Sequence, residues 1–178
     1  ASAIAEVNAK NVLILPNNKN IFMAVDQAAE LADVNAAVVP TKSIPQGISA
    51  MLAFHPEASL EENQAAMNEA RKDVKTGQIT YAIRGTHIDG IEIKKGNFMG
   101  LEEGKIVTSH KNQVDAAKQL LNRMITEGDE LLTIFYGEDM TKDEVEEIES
   151  FIEENFEDVE VEIHSGNQPI YSYLFSIE

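Results

Sequence analysis

Two short polar segments hold the side chains best suited to bind something. The first, Asn17-Asn18-Lys19-Asn20, follows Pro16; the second, from Thr41 and Lys42 to Gln46 and Gly47, follows Pro40. Amides and hydroxyls can donate to and accept from a polar partner, and a lysine ammonium adds a point charge that attracts anions. The same amides can instead cap a helix, leaving the lysines as ordinary surface charges. Both readings are open on the residues alone. A third candidate lies near the C-terminus, where His164 stands at the expected end of a strand before Ser165-Gly166-Asn167-Gln168. His164 and Gln168 read as a binding pair or as surface loop residues.

Other chemistry is excluded more firmly. The chain has no Walker A loop, dinucleotide fingerprint, nucleophile elbow or zinc-protease motif. Without a Gly-rich phosphate loop it has no evident means of cradling ATP. Its four histidines, His55, His87, His110 and His164, lack the paired spacing of a metal site. With no cysteine there is neither a disulfide framework nor a thiolate site, and a cytoplasmic setting is expected. The glutamates of the C-terminal third lie on a solvated helical face, where nothing moves their pKa toward neutrality. No catalytic residue is assigned, and no metal ligand.

The elements that must position the candidates alternate in type. Asn11-Val12-Leu13-Ile14-Leu15 is an apolar run stopped by Pro16, which predicts a short strand buried on both faces as in a parallel sheet. A helix should follow, with Ile21, Phe22, Val25, Ala28, Ala29 and Ala32 on one face. A second run, Ala36-Ala37-Val38-Val39, ends at Pro40 and completes a right-handed βαβ crossover. If the strands are neighbours, Lys19 and Lys42 project from one sheet edge, where open α/β sheets bind ligands. An amphipathic helix over residues 1–10, carrying Ile4 and Val7, precedes the first strand and predicts a fragment cut partway through an α/β repeat.

Further along, a short apolar helix passes through Ile48, Met51, Leu52 and Phe54. A capping box at Ser59 and Glu62 starts a helix expected to run to about Lys75, ended by Thr76 and Gly77. Alternation then predicts an antiparallel meander: a strand over 78–84, a hairpin turning at Asp89-Gly90, and strands at 98–99 and 105–108. Val114, Ala117, Leu121 and Ile125 mark a helix; Leu131 to Tyr136 a buried strand; Thr141 and Glu144 a second capping box; 159–163 and 170–175 two closing strands. The fold class is α/β, with a βαβ parallel-sheet lobe over 1–76 and an α+β lobe over 77–178.

The net charge is −17 in 178 residues, which argues against nucleic acid and anionic membrane surfaces as partners. From Glu127 to Glu178 there are 17 acidic residues against Lys142 alone, a balance of −16. That surface reads as a solubility device or as a docking face for a basic partner. No apolar run approaches the ~18 residues of a transmembrane helix.

The wording of the two loops, Leu15-Pro16-Asn17-Asn18-Lys19-Asn20-Ile21 and Val39-Pro40-Thr41-Lys42-Ser43-Ile44-Pro45-Gln46-Gly47, resembles the C-terminal domain of FakA, the dihydroxyacetone-kinase-like component of bacterial fatty acid kinase. The resemblance continues through Phe54-His55-Pro56-Glu57-Ala58, Lys75-Thr76-Gly77-Gln78, Asp89-Gly90-Ile91 and Gln168-Pro169-Ile170-Tyr171-Ser172-Tyr173, covering essentially the whole chain. It implies a non-catalytic docking domain that engages a separate fatty-acid-binding subunit. An N-terminal domain of the parent protein would bind ATP and magnesium, and another domain would join two copies into a homodimer. The complex would make acyl-phosphate for phospholipid synthesis. It also implies that the segment supplying a strand before Ala1 is missing. A weaker similarity, to DegV-type fatty-acid-binding proteins, rests on the order of elements from Ile91 onward and on His164-Ser165-Gly166-Asn167-Gln168-Pro169. It implies a DegV-like two-lobed architecture and, as an alternative function, a small-ligand or fatty-acid-binding module.

Overall fold

The computed structural model describes residues 1–88 and 90–178. Its chain gathers into two compact units, Ala1–Val74 and Lys75–Glu178.

In the first unit, α1 (Ser2–Val7) leads into β1 (Asn11–Ile14). A 3-10 turn at Lys19–Ile21 precedes α2 (Phe22–Glu30), and β2 (Asn35–Val38) then pairs with β1 in parallel, Asn11 opposite Asn35 and Ile14 opposite Val38. The crossover is the one the apolar runs predict. On α2, Phe22, Val25, Ala28 and Ala29 are half-buried and the remainder exposed, so the predicted face is the one that packs; Ile21 ahead of it is exposed. Two helices complete the unit, α3 (Ile44–Leu52) and α4 (Leu60–Ala70), packed together. The capping box of α4 is formed: Glu62 N–H donates to Ser59 Oγ at 3.2 Å, and Ser59 N–H to the Glu62 carboxylate at 2.8 Å.

Burial here departs from expectation. Of β1 only Val12 is buried, whereas Leu13 and Ile14 are half-exposed. A run buried on both faces needs layers on both sides of a multi-stranded sheet, and this sheet has two strands. The local core is correspondingly small, built on Val39, Ala50 and Met67. No residue of α1 is buried.

The second unit is built on a six-stranded sheet. β3 (Lys75–Tyr81), β6 (Phe98–Glu102) and β7 (Lys105–His110) form the expected meander, interrupted by a separate ribbon of β4 (Thr86–Ile88) and β5 (Ile91–Ile93). Asp89, expected in the hairpin turn, lies outside the described residues; Gly90 has the left-handed φ of 84° that such turns require. Then come α5 (Gln113–Met124), β8 (Leu131–Tyr136), α6 (Lys142–Asn155), β9 (Glu160–Ser165) and β10 (Tyr171–Ile177). The order β7-β6-β3-β10-β8-β9 places the last strand at the centre, antiparallel to β3 and β8, while β8 and β9 run parallel. Every residue of β10 from Ser172 to Ile177 is buried. Leu120 and Leu121 of α5, Ile148 and Ile152 of α6, and Ile79, Ile134, Tyr173 and Phe175 of the sheet make the core.

The helix expected to reach Lys75 stops at Ala70, and Lys75, Thr76 and Gly77 are strand. Two ladders claim them: Gly77 lies between Phe175 and Glu102. A Cβ there would sit 2.9 Å from Met124 Sδ, so glycine lets α5 approach the sheet.

Candidate functional site

Because β1 and β2 are parallel neighbours, the segments after them emerge at one edge, and they are joined. The N–H of Asn17 donates to Thr41 Oγ1 at 3.1 Å. Asn17 adopts a left-handed φ of 53°, a conformation asparagine tolerates better than most residues. Its carboxamide lies against the first turn of α3, where a Cβ on Gly47 would collide with it. Asn17 Oδ1 is buried there, with no hydrogen-bond partner among the described residues. Next to it, Asn18 Oδ1 accepts from Asn20 N–H at 2.9 Å and caps the 3-10 turn.

The second segment is less of a loop than its polar residues suggest. Ser43 is the N-cap of α3, accepting from Gln46 N–H at 3.3 Å, and Pro45 sits in the first turn. Gln46 and Gly47, expected in the loop, are therefore helical and buried, and Thr41 is fully buried. The Gln46 side chain turns back to accept from Lys42 N–H at 2.9 Å. Thr41, Gln46 and Gly47, with the buried side of Asn17, thus brace the edge from within. Asn18, Lys19, Asn20 and Lys42 are the candidates left facing outward. Among the described residues, no ion pair engages Lys19 or Lys42.

Exposed apolar residues stand close to both lysines along the chain, which the polar-loop reading does not anticipate. Ile21 and Ile44 are exposed next to Lys19 and Lys42, and α3 continues outward with Ile48, Met51 and Leu52, the last two 62% and 84% exposed. The signal lies in the sequence of α3, whose nine residues include no charged side chain for an outer face. Contiguous exposed apolar surface with a charged rim marks interaction sites.

His164 and Gln168 belong to the second unit. His164 is on β9 rather than in a loop, exposed, stacked on Phe135 with ring centroids 5.7 Å apart and 3.6 Å from the Glu162 carboxylate. Gln168 is held by its own amide, which donates to the carbonyls of Phe135 at 2.9 Å and Tyr171 at 3.2 Å. Both side chains therefore meet at Phe135. Asn167 and Ile170 in this connection have positive φ, 48° and 74°, the latter unusual for a β-branched residue.

The acidic surface is partly compensated. Lys118 of α5 reaches Glu147 at 2.7 Å, and Lys142 reaches Glu146 at 3.1 Å. Glu144 and Glu149 are half-buried, while Asp143, Glu146, Glu147, Glu153 and Glu154 are exposed. Among the described residues, no three acidic or histidine side chains are grouped to hold a metal ion, and no helix is long and apolar enough to cross a membrane.

Comparison with known proteins agrees with this architecture. Protein YloV of Bacillus subtilis strain 168 is 52% identical over 176 residues, which are 99% of this chain and 32% of YloV. The chain thus spans about a third of that relative's length. Among solved structures, a DegV lipid-binding protein from Thermotoga maritima superposes with a TM-score of 0.63 at 16% identity, covering 99% of this chain and 72% of the other. The fatty acid kinase B3 protein of Streptococcus pneumoniae, solved loaded with linoleic acid, gives 0.62 at 13% identity, covering 99% and 74%. At such identities the likeness is one of fold, and the fold is that of the DegV proteins. The model of the FakA-like C-terminal family of fatty acid kinase proteins matches residues 1–178, and the chain belongs to that family.

Proposed function

We propose that this chain is the docking module of an ATP-dependent fatty acid kinase, holding a DegV-type fatty-acid-binding subunit so that a separate domain can phosphorylate the bound acid. The family match over the whole chain carries the reading. The surface agrees with it: the β1–β2 edge offers exposed Lys19 and Lys42 beside Ile21, Ile44 and Ile48, a combination of charge for orientation and apolar area for affinity. ATP and magnesium belong, on this reading, to another domain of the parent protein, which is a cytoplasmic homodimer formed elsewhere in its chain. The products serve phospholipid synthesis.

The test is competition. Excess isolated chain added to the full-length kinase and its acyl-binding subunit should slow acyl-phosphate formation by sequestering that subunit. Raising the subunit concentration should restore the rate. Undiminished turnover at a large excess of the chain would contradict docking here.

A second reading, a fatty-acid-binding module, rests on one observation, a cavity of about 400 Å³ in the first unit lined mainly by carbon. Equilibration with a radiolabelled fatty acid separates the two readings, since a docking module retains none.

A further inference from the structure

Ile170 stands 76% exposed at the centre of a strained turn. The Tyr171 N–H donates to the Pro169 carbonyl at 2.8 Å, and Ile170 between them has φ 74°. This is the γ-turn of positive φ, a rare and strained form to which a β-branched residue is poorly suited. Its surroundings hold it there. The Gln168 amide donates to the carbonyls of Phe135 and Tyr171, and Thr80 Oγ1 donates to the Ile170 carbonyl at 2.8 Å. Strain fixed in this way points to function, since the exposed isoleucine gains no burial within the chain in return.

Among the described residues of the second unit, the other large apolar side chains left exposed are Tyr81, Ile83 and Ile88. Thr80 pairs with Tyr171, so Tyr81 at the end of β3 lies beside the turn, and Ile83 follows two residues later. The Ala82 N–H donates to the Asn97 carbonyl at 2.8 Å, and the Ala82 carbonyl accepts from Gly96 N–H at 2.9 Å. Those bonds bring Lys94 and Lys95 alongside Ile83 and Arg84. All three cations are exposed, and among the described residues Arg84 and Lys95 make no ion pair. From Tyr81 to Asn97 the charge balance is +1, in a chain whose net charge is −17.

We propose that Ile170 is an anchor that the strained turn holds ready for an apolar recess of the fatty-acid-binding subunit. Tyr81 and Ile83 would flank it, with Arg84, Lys94 and Lys95 meeting carboxylates at the rim of that recess. The proposal rests on the docking reading above and adds a contact on the second unit. Interfaces draw most of their affinity from a few side chains seated in pockets and ringed by polar contacts, and a side chain fixed beforehand loses little freedom on binding. The charge selects the occupant, because a basic rim on an acidic chain fits a partner that presents carboxylates. A second copy meeting this face with its own would set Arg84 and Lys95 against like charges. A lipid bilayer offers no fixed recess to reward a strained side chain, and an anionic one is repelled by the net charge.

The test titrates a fatty-acid-loaded DegV-type subunit into a full-length protein containing this chain, in a calorimeter, and compares the parent with Ile170→Asn and Ile83→Ser. Asparagine tolerates positive φ, so Ile170→Asn should keep or raise the urea midpoint while weakening binding about tenfold or more. Ile83→Ser, which leaves the turn alone, should weaken binding as well. Arg84→Glu with Lys95→Glu should slow association, and less so at high salt. A parent that binds, with both apolar variants within about twofold of its affinity, overturns the proposal and leaves docking standing. Absence of binding by the parent overturns the docking reading and this contact with it. A loss confined to an Ile170→Asn variant whose midpoint has collapsed, with Ile83→Ser binding like the parent, also counts against the anchor.

Discussion

The backbone N–H of Asn17 donates to the Thr41 hydroxyl across 3.1 Å, tying together two segments 24 residues apart. That bond sets the spacing between the loops that carry Lys19 and Lys42. It also explains why Thr41, on its residue type alone a candidate for contact with a partner, is wholly buried. Replacing Thr41 by Val keeps the shape and removes the acceptor, leaving a partly buried N–H unpaired. The expected cost is about 1–3 kcal/mol. It should appear as a lower urea midpoint with an unchanged m-value, and an unchanged midpoint would contradict the bracing role.

Lys19 and Lys42 should behave oppositely. Both are exposed without an ion pair among the described residues, so changing both to Ala should move stability by no more than ~0.5 kcal/mol. Affinity for the acyl-binding subunit should fall, chiefly through a slower association rate. Stopped-flow association together with a urea titration separates the two effects; equal affinity in the double variant would remove the lysines from the interface.

Asp129 provides a pH handle on the second unit. Burial alone would push its carboxyl up, but hydrogen bonds from Lys75 and from the Thr126 backbone and hydroxyl, with the Lys75 charge, hold it below the usual range. A carboxylate with a folded pKa below its unfolded one adds stability above the unfolded value, ~3.9. That stability is lost as pH falls through the folded pKa. Asp129→Asn should therefore destabilise at pH 7 and matter less with increasing acidity below pH ~4. Denaturant midpoints of both proteins across pH 2.5–7 check this; a constant gap would contradict it.

The acidic helix α6 exposes Asp143, Glu146, Glu147, Glu153 and Glu154. If it guides a basic partner, added salt should slow association within the range of a Debye length, ~8 Å at physiological ionic strength. Glu146→Gln, Glu147→Gln and Glu153→Gln together should flatten that dependence. A dependence identical in variant and parent would leave α6 a solubility surface.

Signals in the chain are legible where the chemistry is local. Both capping boxes, the βαβ crossover and the apolar face of α2 follow from short-range patterns. The start of α3 departs from its loop reading because Pro45 and Gly47 suggest a turn; proline suits a helix's first turn, and Ser43 three residues before Gln46 is the better signal. The central place of β10 is not legible, since strand order depends on pairings as distant as Thr76 with Ser176. Nor is the compensation of α6, because Lys118 reaches Glu147 from another helix. For the candidate site, residue types place both segments at one sheet edge, but not which side chains face inward; that depends on the Asn17–Thr41 and Gln46–Lys42 bonds.

Docking itself is tested most directly by titrating this chain with a DegV-type fatty-acid-binding protein from a bacterium that encodes both, loaded with fatty acid, in a calorimeter. Saturable binding at one-to-one stoichiometry is expected, weakened by the Lys19→Ala, Lys42→Ala variant and retained when the chain carries no lipid of its own. Absence of any association up to concentrations on the order of 1 mM, a binding free energy weaker than about −4 kcal/mol, would contradict the account.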